Sequence, residues 1–150
     1  MNRTKLKDKI YGEMFWEEWD EFQSFWYAPM TIEADGKFDL LIHADSPLDF
    51  LAVGGTHKTF YKLLEDMPSI RKKTVRDLVE NGEITFPKSK HKKTAMEMLE
   101  KELKLISIKI FGDLSAEIIF DAEMFDETDD VIFTLIDKDG EFIEAEISKF

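Results

Sequence analysis

The chain has 150 residues, 43% of them hydrophobic and 13% aromatic, with a formal net charge of −12 and no cysteine. That length supplies one core and falls short of two, so residues 1–150 are expected to form a single domain, and the aromatic content excludes a disordered chain. Without cysteine there is no disulfide, thiolate metal site or thiol nucleophile, which suits a reducing cytoplasm.

The charge is uneven. Residues 1–68 carry 7 basic and 13 acidic side chains, residues 69–104 carry 10 and 6, and residues 105–150 carry 3 and 13. A field this negative repels nucleic acid and anionic membrane and speeds encounter with a basic protein. The basic start, Met1 to Lys9, leads into acidic residues instead of the apolar stretch of a signal peptide, and no window is long and uncharged enough to span a bilayer. A soluble, cytoplasmic protein is the expectation.

In chain order, Lys9 to Trp16 alternates loosely and reads as a first strand, and Phe22 to Ala28 as a second. One amphipathic helix competes with this, because Phe15, Trp19, Phe22 and Trp26 fall at i, i+4, i+7 and i+11. Aromatic residues favour strands, Gly12 sits where the helix would begin, and Pro29 opposes continuation, so two strands are chosen. Met30 to Ala34 and Lys37 to His43 alternate across Asp35-Gly36 and form a hairpin.

Ala44 to Asp49 is turn-like, and Gly54-Gly55 breaks the chain before a helix opens near Thr56. Phe60, Leu63, Leu64 and Met67 make its apolar stripe, and Pro68 interrupts it. A second helix is expected from Ser69 to Glu80, with Ile70, Val75, Leu78 and Val79 inward and Asn81-Gly82 ending it. After the extended link Ile84 to Pro87 and the polar run Lys88 to Lys93, Thr94 and Glu97 have capping-box spacing, so a third helix runs to about Lys104.

The last part of the chain reads as four strands: Leu105 to Phe111, Ala116 to Asp121, Val131 to Ile136 and Glu141 to Ile147. Gly112-Asp113 turns the first pair and Asp139-Gly140 the second. The fold class is therefore α+β. Both chain ends contribute to an antiparallel sheet, and two or three helices inserted in the middle pack on one face.

The run Ile10-Tyr11-Gly12-Glu13-Met14, the aromatic second strand, the Ile32 to Ile42 hairpin, the helical middle, and Glu117-Ile118-Ile119-Phe120-Asp121 with Phe125 and Val131-Ile132-Phe133 resemble a group of small bacterial domains of unknown function. Some members are encoded near polymorphic toxins. The resemblance implies an immunity-like role, with a toxin as partner. Similar sequences often carry a glycine-histidine pair after that phenylalanine, whereas here Phe125 is followed by Asp126-Glu127-Thr128.

Asp121, Glu123, Asp126, Glu127, Asp129 and Asp130 crowd one loop, which lacks the glycine and the ligand spacing of a calcium loop. It reads as a solvated acidic surface suited to a basic partner. His43, His57 and His91 lack zinc-helix spacing; His43 and His57 would form an acid–base pair or metal site only by converging across Gly54-Gly55 near Asp45 or Asp49. Gly54-Gly55-Thr56-His57-Lys58 lacks the spacing of a phosphate loop. Arg71, Lys72, Lys73 and Arg76 with Lys88, Lys90, His91, Lys92 and Lys93 make a basic stretch without interleaved aromatics for base stacking.

Phe15, Trp16, Trp19, Phe22, Phe25, Trp26 and Tyr27 place seven rings in thirteen residues, more than one strand face buries. No metal or other cofactor is expected. A non-enzymatic protein-binding module, meeting a basic partner through Asp126, Glu127, Asp129 and Asp130 and through Trp16, Trp19 and Trp26, is the leading reading. The alternative is an enzyme centred on the Gly54-Gly55 loop.

Overall fold

Eight strands form one sheet in the order in which the chain makes them. The computed structural model describes residues 4–21, 23–85, 92–125 and 127–149, with Phe50 described by its backbone alone. The first half contributes β1 (Lys5–Asp8), β2 (Gly12–Glu18), β3 (Ser24–Ile32) and β4 (Gly36–His43). Helices α1 (Phe50–Gly54), α2 (His57–Glu80) and α3 (Lys92–Glu102) follow. The second half adds β5 (Lys104–Ile110), β6 (Ala116–Asp121), β7 (Asp130–Ile136) and β8 (Phe142–Lys149).

The architecture is α+β, as the sequence predicts, with one correction to the sheet. Its neighbours pair antiparallel except β4 and β5, which run parallel. A chain that leaves the end of one strand, crosses the sheet in helices and returns beside it comes back in the same direction. The predicted alternative of a helix over the aromatic segment is also settled in favour of strands, because Trp16 pairs with Trp26 across β2 and β3.

The predicted boundaries fail at polar turns and at prolines. The Asp8 carboxylate accepts the Ile10 and Tyr11 N–H groups, both at 2.9 Å, so Lys9 to Tyr11 turn instead of opening a strand, and the polar β1 precedes them. Strand β3 passes straight through Pro29, where a break is predicted. Its ladder to β2 ends at Tyr27, so beyond that point the missing proline N–H costs no bond on that side.

Helix α2 likewise continues through Pro68, where the sequence predicts two helices. An interior proline costs about 3 kcal/mol. The buried stripe Phe60, Leu63, Met67, Ile70, Thr74, Val75 and Leu78 runs past it without interruption, and its packing offsets that loss. Asp49 starts the unforeseen α1 by accepting the Ala52 N–H at 3.2 Å. Helix α3 begins at Lys92, so Thr94 lies inside it and does not cap it. Phe22, the end of the predicted link with the following lysines and His91 (residues 86–91), and Asp126 lie outside the described residues.

The helices pack on one face of the sheet. Trp26, Leu40, Ile108, Ile118 and Ile132, one from each of five strands, are buried there against the α2 stripe. Two polar contacts fix the docking. The Thr74 and Thr134 hydroxyls meet at 2.8 Å, both fully buried, and Arg71 pairs with Asp35 at 3.0 Å while its guanidinium lies 5.5 Å from the centre of the Phe120 ring. At the far edge, Asp77 accepts the Ala145 N–H of β8 at 2.9 Å and Glu83 accepts that of Ile147 at 3.4 Å. Lys62 donates to the Asp139 carbonyl at 2.9 Å, and a Cβ on Gly140, whose φ is +85°, would stand 2.7 Å from that ammonium.

Because Thr74 and Thr134 satisfy each other, removing one hydroxyl strands the other in the core. Thr134→Val is expected to cost about 1–3 kcal/mol in urea unfolding, and Thr74→Val with Thr134→Val clearly less than the sum of the two single changes. Simple additivity would show that the hydroxyls do not depend on each other.

Candidate binding site

Alternation along each strand sends every second residue to the face that no described helix covers. On β2 and β3 these include Phe15, Glu17, Phe25 and Tyr27, and on β4 Asp39 and Leu41. On β5 the alternation is reset by a β-bulge between Leu105 and Ser107. Leu105 and Ile108 both join the helix-side core, so Ile106 and Ser107 come to line the uncovered face together. Glu117 and Ile119 of β6 and Phe133 of β7 continue it.

All of the side chains named on this face except Phe15 and Phe25, together with Trp19 and Lys109, line a groove of about 720 Å³. Its floor is apolar, with Leu41 and Ile119 each only 6% exposed. Lys109 stands over the rings of Trp19, Phe25 and Phe111, its ammonium 5.2, 5.0 and 6.0 Å from their centres, and 3.8 Å from the Glu117 carboxylate. Such a cation is held by the negative faces of the rings and by the carboxylate together. Tyr27 donates to Asp39 at 3.0 Å, and the Trp19 indole donates to Glu17 at 3.1 Å. Ser107, only 5% exposed, is the exception in the groove: its hydroxyl has no hydrogen-bond partner among the described residues.

Among the described residues no base lies within hydrogen-bond reach of the Ser107 hydroxyl. The groove offers apolar surface, ring faces, three carboxylates, one ammonium and an unmatched hydroxyl, the mixture found in binding sites that orient a ligand by a few polar contacts.

The residues singled out in the sequence are distributed differently. Trp26 is fully buried on the helix side, with Trp16 edge-on to it at 5.4 Å, so both face away from the groove. Trp19 is 51% exposed and belongs to the groove wall. Glu127 and Asp129 are exposed, and Asp130 pairs with Lys149 at 3.2 Å. Asp129 and Asp130 also line a smaller cavity that shares Ile106 with the groove. Arg71 turns inward to Asp35, leaving Lys72, Lys73 and Arg76 exposed. Ser107, Lys109 and Glu117 carry no sequence signal of their own.

The histidines have separate partners. His43 lies 3.8 Å from Asp45, whereas His57, the first residue of α2, contacts both Asp8 carboxylate oxygens at 2.9 Å. Beside this pair the Thr56 hydroxyl donates to the Val53 carbonyl at 2.7 Å and meets the Tyr11 hydroxyl at 2.7 Å. Burial pushes the Tyr11 phenol well above its ordinary value. These contacts join the β1–β2 turn to the start of α2. Among the described residues no three His, Asp or Glu side chains stand close enough to hold a metal ion, and no described helix is long and apolar enough to cross a membrane.

No family model matches the chain, and comparison with curated proteins and with solved structures gives no significant match.

The Asp8 contacts predict a pH signature. Burial works to raise its carboxyl, and the Tyr11 and Ile10 N–H groups with His57 outweigh it, holding the group below its ordinary value of 3.8. The folded value is the lower one, so the stabilisation is complete above about pH 3.8 and is lost as the pH falls through the folded value. Asp8→Asn is expected to cost about 1–3 kcal/mol at pH 7. In urea unfolding the gap to the parent protein should close as the solution is taken into the acid range. A gap independent of pH would exclude the charge as its source.

Proposed function

We propose that this chain is a non-enzymatic binding protein of the bacterial cytoplasm, immunity-like, that neutralises a basic protein such as a toxin by covering its active surface. The observation that carries the proposal is the uncovered sheet face, whose groove meets the acidic loop at Ile106. Glu17, Asp39 and Glu117 border the groove, and Asp121, Asp129 and Asp130 border the adjoining cavity. A basic surface laid across both meets carboxylates on either side of apolar floor, the polar rim and apolar centre of a protein interface. The net charge of −12 would draw such a partner in and speed association at low salt. The lack of a base beside the Ser107 hydroxyl among the described residues favours binding over catalysis.

The test is capture of partners by the intact protein and by a variant carrying Asp126→Asn, Glu127→Gln, Asp129→Asn and Asp130→Asn. The parent is expected to retain a basic protein at low salt and release it steeply as salt is raised. The variant should lose at least about tenfold in affinity at an unchanged melting temperature, as expected when several rim charges are removed. Equal recovery by the two proteins would take the acidic loop out of the interface.

A further inference from the structure

We infer that the groove is a receptor for an arginine side chain presented by an extended segment of the basic partner, with Ser107 and Asp39 as its polar contacts. This rests on the partner being a basic protein. Ser107 is more than nine-tenths buried, lines the groove, and has a hydroxyl with no hydrogen-bond partner among the described residues. Buried polar atoms are rarely left so. Trp26 Nε1 on the covered face is a second such atom among the described residues, but only Ser107 borders the groove, where a ligand's polar atom can come to rest against it. Asp39 is its direct neighbour across the β4–β5 ladder. Side chains so paired start about 5 Å apart, a span that one guanidinium fork bridges.

The remaining lining fits the rest of that side chain. Leu41, Ile119 and Phe133 supply apolar surface for an aliphatic stem, and Trp19 and Tyr27 supply faces on which a planar cation stacks. The lining carries Glu17, Asp39 and Glu117 against Lys109 alone, so its balance is negative. An anionic ligand at Lys109 would have to approach past those carboxylates. A second copy of the chain would bring its own charge of −12 to the same place. Lys109 is itself a half-buried cation held at the site, and its ammonium lies over the Phe25 ring.

The probes are three synthetic heptapeptides alternating leucine with arginine, with citrulline or with glutamate, titrated into the whole protein while the Trp19 indole and the Ser107 and Lys109 amides are followed by NMR. The arginine peptide should move all three signals. The citrulline peptide should bind at least about tenfold more weakly, since it keeps the shape and loses the charge. The glutamate peptide should leave the signals in place. Ser107→Ala and Asp39→Asn should each weaken the arginine peptide by about tenfold. Ser107→Ala removes a hydroxyl that bonds to no described residue, so its melting temperature should match the parent's.

Equal binding of the citrulline peptide would overturn the inference in favour of an apolar occupant, and binding of the glutamate peptide in favour of an anion at Lys109. Signals that stay still with arginine, or move with protein concentration alone as copies associate, would also overturn it. The same variants separate this inference from the proposed function. If the acidic-loop variant loses a basic partner that Ser107→Ala and Asp39→Asn retain, the groove is dismissed and the binder stands. If the arginine peptide binds as described but no basic protein is retained, the groove stands and the proposed function falls.

Discussion

A parallel pair of strands cannot be closed by a tight turn, and β4 and β5 are such a pair. The chain must leave the sheet after His43 and re-enter at Lys104, and all three helices lie in that single crossover. They therefore come to one side. Six other junctions are antiparallel and are made by short connections that carry no helix able to cover the opposite side. A sheet of eight strands with its described α-helices confined to one connection has a covered face and a bare one.

The two faces answer this in different ways. On the covered side large apolar side chains interlock with the α2 stripe, and Thr74 with Thr134 and Arg71 with Asp35 are matched to each other. On the bare side apolar residues are screened by their neighbours: the Lys109 stem lies across aromatic rings and Tyr27 leans to Asp39. Among the described residues two buried polar atoms lack a partner, Trp26 Nε1 on the covered face and the Ser107 hydroxyl on the bare one. Of the two, only Ser107 borders the groove.

Strand identity was legible wherever turn chemistry was explicit. Asp35-Gly36 and Asp139-Gly140 mark their hairpins because both glycines take positive φ, and alternation marks β4 and β6 through β8. Pro29 and Pro68 misled because a proline's local cost was weighed without the tertiary partners that decide whether it matters: the end of the β2 ladder for one, an unbroken buried stripe for the other. The strand β1 has no apolar pattern of its own and exists by pairing with β2. For the groove, Trp19 was within reach of sequence reasoning, since clustered rings overflow one face. Ser107 was not, because it reaches the bare side only through a one-residue bulge, and a bulge has no residue signature in Leu105-Ile106-Ser107. Trp16 and Trp26 were in view as rings, but their face depends on register.

The carboxylates of Asp77 and Glu83 on the outermost strand bear on how this protein behaves in a crowd. A terminal ribbon with free amides is a template on which another chain can zip itself, which is how folded proteins are recruited into fibrils. At Ala145 and Ile147 those amides are already held by acidic side chains from the end of α2 and just beyond it. Any intruding ribbon must first evict two anions, and it meets Glu144 and Glu146 on the way.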